Sequence, residues 1–189
     1  MKEEGGVIRS TARILSAIER VYVSIAAVFM AVVMFVVVGD VFFRYVLNSP
    51  FSWANDLIGL YLMAGIFFLV LSPAYAERAH VGVDIVYQVM PRRVQLAADV
   101  VTNLTGTAFF AVIAKIGYDR FISAFLSGDV IAGSIPWPTW ASYVLVPIGA
   151  GMLALRMALH LIADCVALAT GARFAFLEEA EGHGPEGMN

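Results

Sequence analysis

From Val21 to Gly39 the chain runs nineteen consecutive residues without a charge, and this run limits the fold more than any other feature. At ~1.5 Å per residue, a helix of that length spans roughly the ~30 Å hydrocarbon core of a bilayer. Lipid offers no water to bond backbone N–H and C=O groups, so the segment is predicted to cross as an α-helix, with all its bonds internal. A signal peptide is the competing reading, but its apolar stretch is ~7 to 15 residues long and ends at a small-residue cleavage site. Here the run is longer and continues into Phe42-Phe43-Arg44-Tyr45.

Three further segments read the same way. Leu57 to Ala76 is uncharged, with Ser49-Pro50 or Ser52 available to cap its start and Pro73 near its far end. Val100 to Ala114 gives only fifteen uncharged residues, and extending it back to Val94 admits one charge, Asp99. The last apolar run, Val130 to Leu155, carries Pro136, Pro138 and Pro147. Proline disfavours helix in the residue before it, so Ile135-Pro136-Trp137-Pro138 is predicted to be extended and the helix to start near Thr139. Trp137, Trp140 and Tyr143 then lie at the interface that aromatic rings prefer. The fold class is therefore an all-α membrane protein with four transmembrane helices, over about 21–45, 54–76, 94–118 and 139–164. Residues 21–168 form its one domain.

Composition agrees: 60% of residues are hydrophobic and 14% charged, a balance a soluble domain does not tolerate. The net charge of -3 leaves no basic surface for nucleic acid. The single cysteine, Cys165, precludes an intramolecular disulfide, a Cys-x-x-Cys pair and a thiolate zinc cage. Of the twelve Lys and Arg residues, nine fall before span one, between spans two and three, or in the far part of span four and beyond it (Arg156 and Arg173), against Arg44, Lys115 and Arg120 on the other side. That bias predicts both termini in the cytoplasm. The chain leading into span one places Ile14, Ile18 and Val21 on one helical face and Arg9, Arg13 and Arg20 on another, so residues 1–20 are expected as an amphipathic segment along the cytoplasmic surface. Val81 to Gln95 reads as a second short interfacial helix, broken at Pro91. Residues 169–189, acidic and glycine-containing, are expected to be disordered. No internal repeat of the kind complete secondary transporters carry is present.

A charge within a span costs on the order of 2.5 to 3.5 kcal/mol on insertion scales, so each ionisable residue near a helix needs a reason. Asp40 and Arg44 are four apart at the outer end of span one and can pair, as a local headgroup ion pair or as part of a functional cluster. Asp56 opens span two, where a carboxylate suits the helix dipole, or could face a partner or Arg44. Glu77, Arg78, His80 and Asp84 cluster after span two. Arg156, His160 and Asp164 form a stripe at i, i+4 and i+8 on span four, which reads first as a snorkelling cationic end and secondly as a binding site. A haem between His80 and His160 is the alternative chemistry, disfavoured because His80 falls in a polar connection rather than on an apolar helix face. No Ser-His-Asp order, metal-binding His pair or phosphate-cradling loop can be assembled. No catalysis, metal or cofactor is expected, and the span middles lack the polar interruptions of a transport site.

The outer segment FFRYVLNSPFSWAND, the inner segment AERAHVGVDIV and the later IPWPTWASYVLVPIGAGMLALR together resemble the small, DctQ-type membrane subunit of TRAP (tripartite ATP-independent periplasmic) transporters, over roughly Tyr22 to Ile162. Asn55 stands where that family typically has the first of two acidic residues, with Asp56 in the second place. The resemblance implies a bacterial inner-membrane subunit acting as scaffold for a large elevator-type subunit. That partner would take up an organic acid, delivered by a periplasmic binding protein, by symport down a sodium gradient. It further implies that Arg44, Trp53 and Asp56 shape the outer side, and that Arg78, His80 and Asp84 order the inner connection. By topology and resemblance, Asp119, Arg120, Asp129 and Ile135 would touch the binding protein. Gly59, Ala64 and Gly65, with Gly149 and Gly151, offer small-residue patches for close helix contact. A stand-alone four-helix scaffold is the remaining alternative.

Overall fold

The computed structural model describes residues 2–76, 91–132 and 135–170, with side chains over 15–76, 91, 94–132 and 135–166. Arg78, His80, Asp84 and the acidic tail lie outside the described residues, as does most of the expected second interfacial helix. Helix α1 runs unbroken from Lys2 to Val46. The amphipathic N-terminal segment is thus continuous with the first span, in a helix ~68 Å long at 1.5 Å per residue. Helix α2 covers Ala54–Ala76 and contains one π-helical turn, Ile58–Leu62. It continues through Pro73. Helix α3, Arg92–Ser127, starts where Pro91, extended at φ -58 and ψ 141, supplies the residue before the first turn. It ends at Gly128, whose φ of +65 lies in the left-handed region that glycine enters without a Cβ penalty.

As the prolines predict, the chain after α3 is extended. Val130–Ile131 (β1) pairs antiparallel with Trp137–Pro138 (β2) in a two-stranded ribbon, where proline costs nothing because an edge strand needs no second set of donors. The Thr139 N–H and Oγ1 both donate to the Asp129 carbonyl, at 3.0 and 3.1 Å, closing the ribbon. A four-residue turn of helix, α4 (Trp140–Tyr143), then leads into α5 (Leu145–Thr170). Pro147 stands in the first turn of α5, where its missing N–H breaks no helical bond.

Among the described residues four helices are long and apolar enough to cross a membrane, and they pack as a row in the order α1, α2, α5, α3. Only 6% of the most apolar window of α1 or of α3 is buried, against 28% for α2 and 39% for the last span, so α1 and α3 are the flanks. The buried apolar side chains accordingly come mainly from the middle pair, Leu62 and Leu69 of α2 and Ala150, Met152, Leu153 and Met157 of α5, with Met157 set against Gly106 of α3. At Gly149 these two helices approach closely. A Cβ there would collide with the Phe68 carbonyl oxygen and lie 2.5 Å from its carbonyl carbon. Gly65 meets the Phe29 ring of α1, whereas Gly151 has only an ordinary contact with Ala114 and Gly59 faces open space. The small-residue patches thus serve two different surfaces, one inside the row and one outside it.

Candidate functional site

Polar side chains gather at the two ends of this row, and the distance between the gatherings matches a bilayer. Glu19 and Asp40 on α1 are twenty-one residues apart, ~31 Å at the helical rise, against a hydrocarbon core of ~30 Å. The end holding Glu19 is here called basal and the end holding Asp40 apical.

At the basal end, Glu19, Ser72 and Arg156 are all buried. The Ser72 hydroxyl donates to Glu19 Oε1 at 2.5 Å, and Arg156 Nη1 donates to Glu19 Oε2. One carboxylate thereby ties α1 to α2 and to α5. A second set, with Asn103 and Asp164 buried and Tyr75 half-buried, lies about one turn further out. The Tyr75 hydroxyl donates to Asn103 Oδ1, while Asn103 Nδ2 donates to Asp164 Oδ2 at 2.8 Å. This set ties α2, α3 and α5, and the His160 ring packs edge-on to Tyr75 at 5.6 Å. All four helices therefore meet in two connected polar layers. Buried polar groups without partners cost several kcal/mol in an apolar medium, and so such layers fix one register of the helices against one another.

The Arg156, His160 and Asp164 stripe is thus the inward seam of α5, and the snorkelling reading is corrected. Its residues lie at i, i+4, i+8 because that spacing keeps them on the face toward α2 and α3. Sequence reasoning missed the partners: Glu19, Ser72, Tyr75 and Asn103. The available signal is an acid two residues before the apolar run of α1, next to Arg20.

At the apical end the expected Asp40–Arg44 pair forms, at 2.5 Å, with Arg44 exposed. The same carboxylate accepts the Phe51 N–H at 2.7 Å, pinning the connection back onto α1. That connection turns at Asn48, with φ of 51, a left-handed conformation that asparagine tolerates. Phe43, Phe51 and Trp53 stack in sequence, with centroids 4.8 and 5.3 Å apart. Trp53 occupies the position before the first residue of α2. Arg44 therefore meets Asp40, while Asp56 stands half-buried in the first turn of α2 and makes no hydrogen bond or ion pair among the described residues. Nearby, the Tyr61 hydroxyl donates to the Pro138 carbonyl at 2.6 Å and the Ser142 hydroxyl to the Leu60 carbonyl at 2.5 Å. Leu60 lies within the π-helical turn, whose wider spacing turns a carbonyl out of the ordinary ladder.

The four residues expected at the outer surface separate into two pairs. Asp129 and Ile135 are exposed beside the apical ribbon, whereas Asp119 and Arg120 are exposed on α3 about two turns before its end at Ser127. Of the two histidines considered for haem, His160 is placed against Tyr75 and His80 is outside the described residues. Among the described residues no three His, Cys, Asp or Glu side chains gather as a metal site. A family model, tripartite ATP-independent periplasmic transporters, DctQ component, matches residues 33–167. A comparison with curated proteins returned no match.

Proposed function

The chain belongs to the DctQ components of the tripartite ATP-independent periplasmic transporters, a small membrane subunit by family, and on that premise we propose that it is the stationary scaffold of the assembled transporter. In this reading a large subunit carries an organic acid across the membrane by an elevator motion coupled to a sodium gradient, with substrate delivered by a periplasmic binding protein. Both termini of the small subunit face the cytoplasm of a bacterial cell, so the basal end is the inner one. Asp129 and Ile135, beside the apical ribbon, are the docking points for the binding protein, whereas Asp119 and Arg120, about two turns deeper on α3, belong to a different surface. Arg78, His80 and Asp84 order the basal connection.

The observation that carries the reading is the open row itself. Buried polar ties at one end and the Asp40 clamp at the other hold it in register, yet its flanking helices stay almost wholly uncovered. A part that must not deform while another moves against it needs that combination of fixed register and broad free flanks. The test is affinity purification of the tagged chain from native membranes in mild detergent, with mass spectrometry of what accompanies it. Recovery of a large polytopic subunit is the expected result. Recovery of the chain alone, under conditions that keep other membrane complexes intact, would end the scaffold reading.

A further inference from the structure

Between the basal and apical polar layers, α1, α2 and α5 carry no charged residue, but α3 carries Lys115, Asp119 and Arg120, all exposed. Their depth follows from their neighbours. Phe121 and Phe125 of α3 pack against Trp140 at the apical end, with centroids 6.5 and 5.8 Å away. Lys115 lies six residues before the first of these rings, ~9 Å further into the membrane. On its packed side the same stretch of α3 meets apolar α5, since a Cβ at Gly117 would lie 2.7 Å from Val146. Lys115 and Asp119 are each two residues from Gly117, which at ~100° per residue puts them on the opposite face, directed away from the row.

Lipid is a poor neighbour for that face. Side chains on a helix tilt toward its N-terminus, which for α3 is the basal end, so the Lys115 stem leads deeper rather than up to the nearer headgroups. Lys115 and Asp119 form no ion pair with each other or with another described residue. Lys before Asp at i, i+4 is also the less favourable order for such a pair. By contrast, α1 at matching depth shows only Val28, Met30, Met34, Phe35 and similar side chains, which suit acyl chains.

We propose that the outward face of α3 around Lys115 and Asp119 is the contact surface for a second membrane-spanning protein that places polar groups, with an acid opposite Lys115, at that depth. This rests on the transporter-subunit reading, and the partner is then the large membrane subunit, seated on the α3 flank of the row rather than on the α1 flank. Charge at the face sets register as well as affinity, because a slip by one helical turn would leave Lys115 opposite apolar surface.

The experiment uses the full chain co-expressed with the rest of its transporter, carrying a photoreactive phenylalanine analogue at Val112, exposed about one helical turn from Lys115, or, as comparison, at Val28 on α1. Adducts with the large subunit at 112 and not at 28 are expected. In parallel, Lys115→Leu and Lys115→Glu should lower recovery of the large subunit about tenfold or more at unchanged amounts of inserted chain, as loss of one partner of a buried charge pair does. Adducts only with lipid at 112, adducts at 28 instead, a cross-linked second copy of this chain, or undiminished recovery with Lys115→Glu would each overturn the assignment. Failure of the unsubstituted chain to recover any large subunit would instead remove the transporter reading beneath it.

Discussion

Replacing Arg156 by methionine removes one charge from a pair whose side chains are only 10% and 7% exposed. Glu19 then keeps a single neutral donor, Ser72, and sits uncompensated at the edge of the hydrocarbon. Breaking a buried pair by removing one partner costs about 3 to 5 kcal/mol, whereas replacing both partners by apolar groups of similar size is often near neutral. The expectation is a loss of that order for Arg156→Met, a similar loss for Glu19→Leu, and a loss below about 2 kcal/mol for the double variant. The coupling energy from the cycle should thus exceed ~4 kcal/mol. Unfolding in mixed detergent–SDS micelles, followed by far-ultraviolet circular dichroism, supplies the four stabilities. Tryptophan fluorescence is a useful second signal because Trp53, Trp137 and Trp140 all lie at the apical end, so coincident curves establish that the row unfolds as one unit. Additive single-variant losses, with coupling under ~0.5 kcal/mol, would refute the claim that Glu19 and Arg156 share one buried site.

Two further expectations address the middle of the row. Gly149→Ala places a methyl group on the Phe68 backbone, which cannot rotate aside as a side chain can, so α2 and α5 must separate; a loss of about 1 to 3 kcal/mol in the same unfolding assay is expected, against almost none for Gly59→Ala. Ser142→Ala deprives the Leu60 carbonyl of its donor and should cost about 1 to 3 kcal/mol, with exchange of amide hydrogens rising around residues 58–62 in hydrogen–deuterium measurements and remaining unchanged near Ser72.

The four spans were legible because length and hydropathy depend only on local sequence, and the proline-marked start of the last span was equally local. Arg44 pairing with Asp40 was readable for the same reason, being one helical turn away. What sequence did not yield is contact at long range. Glu19 and Arg156 are 137 residues apart and Ser142 and Leu60 82 apart, and nothing in the neighbourhood of either names the other. The arginine stripe invited the snorkelling reading since its three residues are polar near a helix end; only the placement of Asn103 and Tyr75 turns that stripe inward. The π-helical turn in α2 left no local mark at all, as Ile58–Leu62 is ordinary helix-compatible sequence whose spare carbonyl is satisfied from another helix.

The long span of sequence between Glu19 and Arg156 also has a temporal side. At ~5 to 20 residues per second, a ribosome needs roughly 7 to 27 s to make the 137 residues that separate them. For most of that interval the first helix is complete while the arginine that pairs with its acid has yet to be made. The Glu19 side chain leans toward the start of α1, and hence toward headgroups and water, so the waiting carboxylate stays hydrated until the last helix arrives and draws it in.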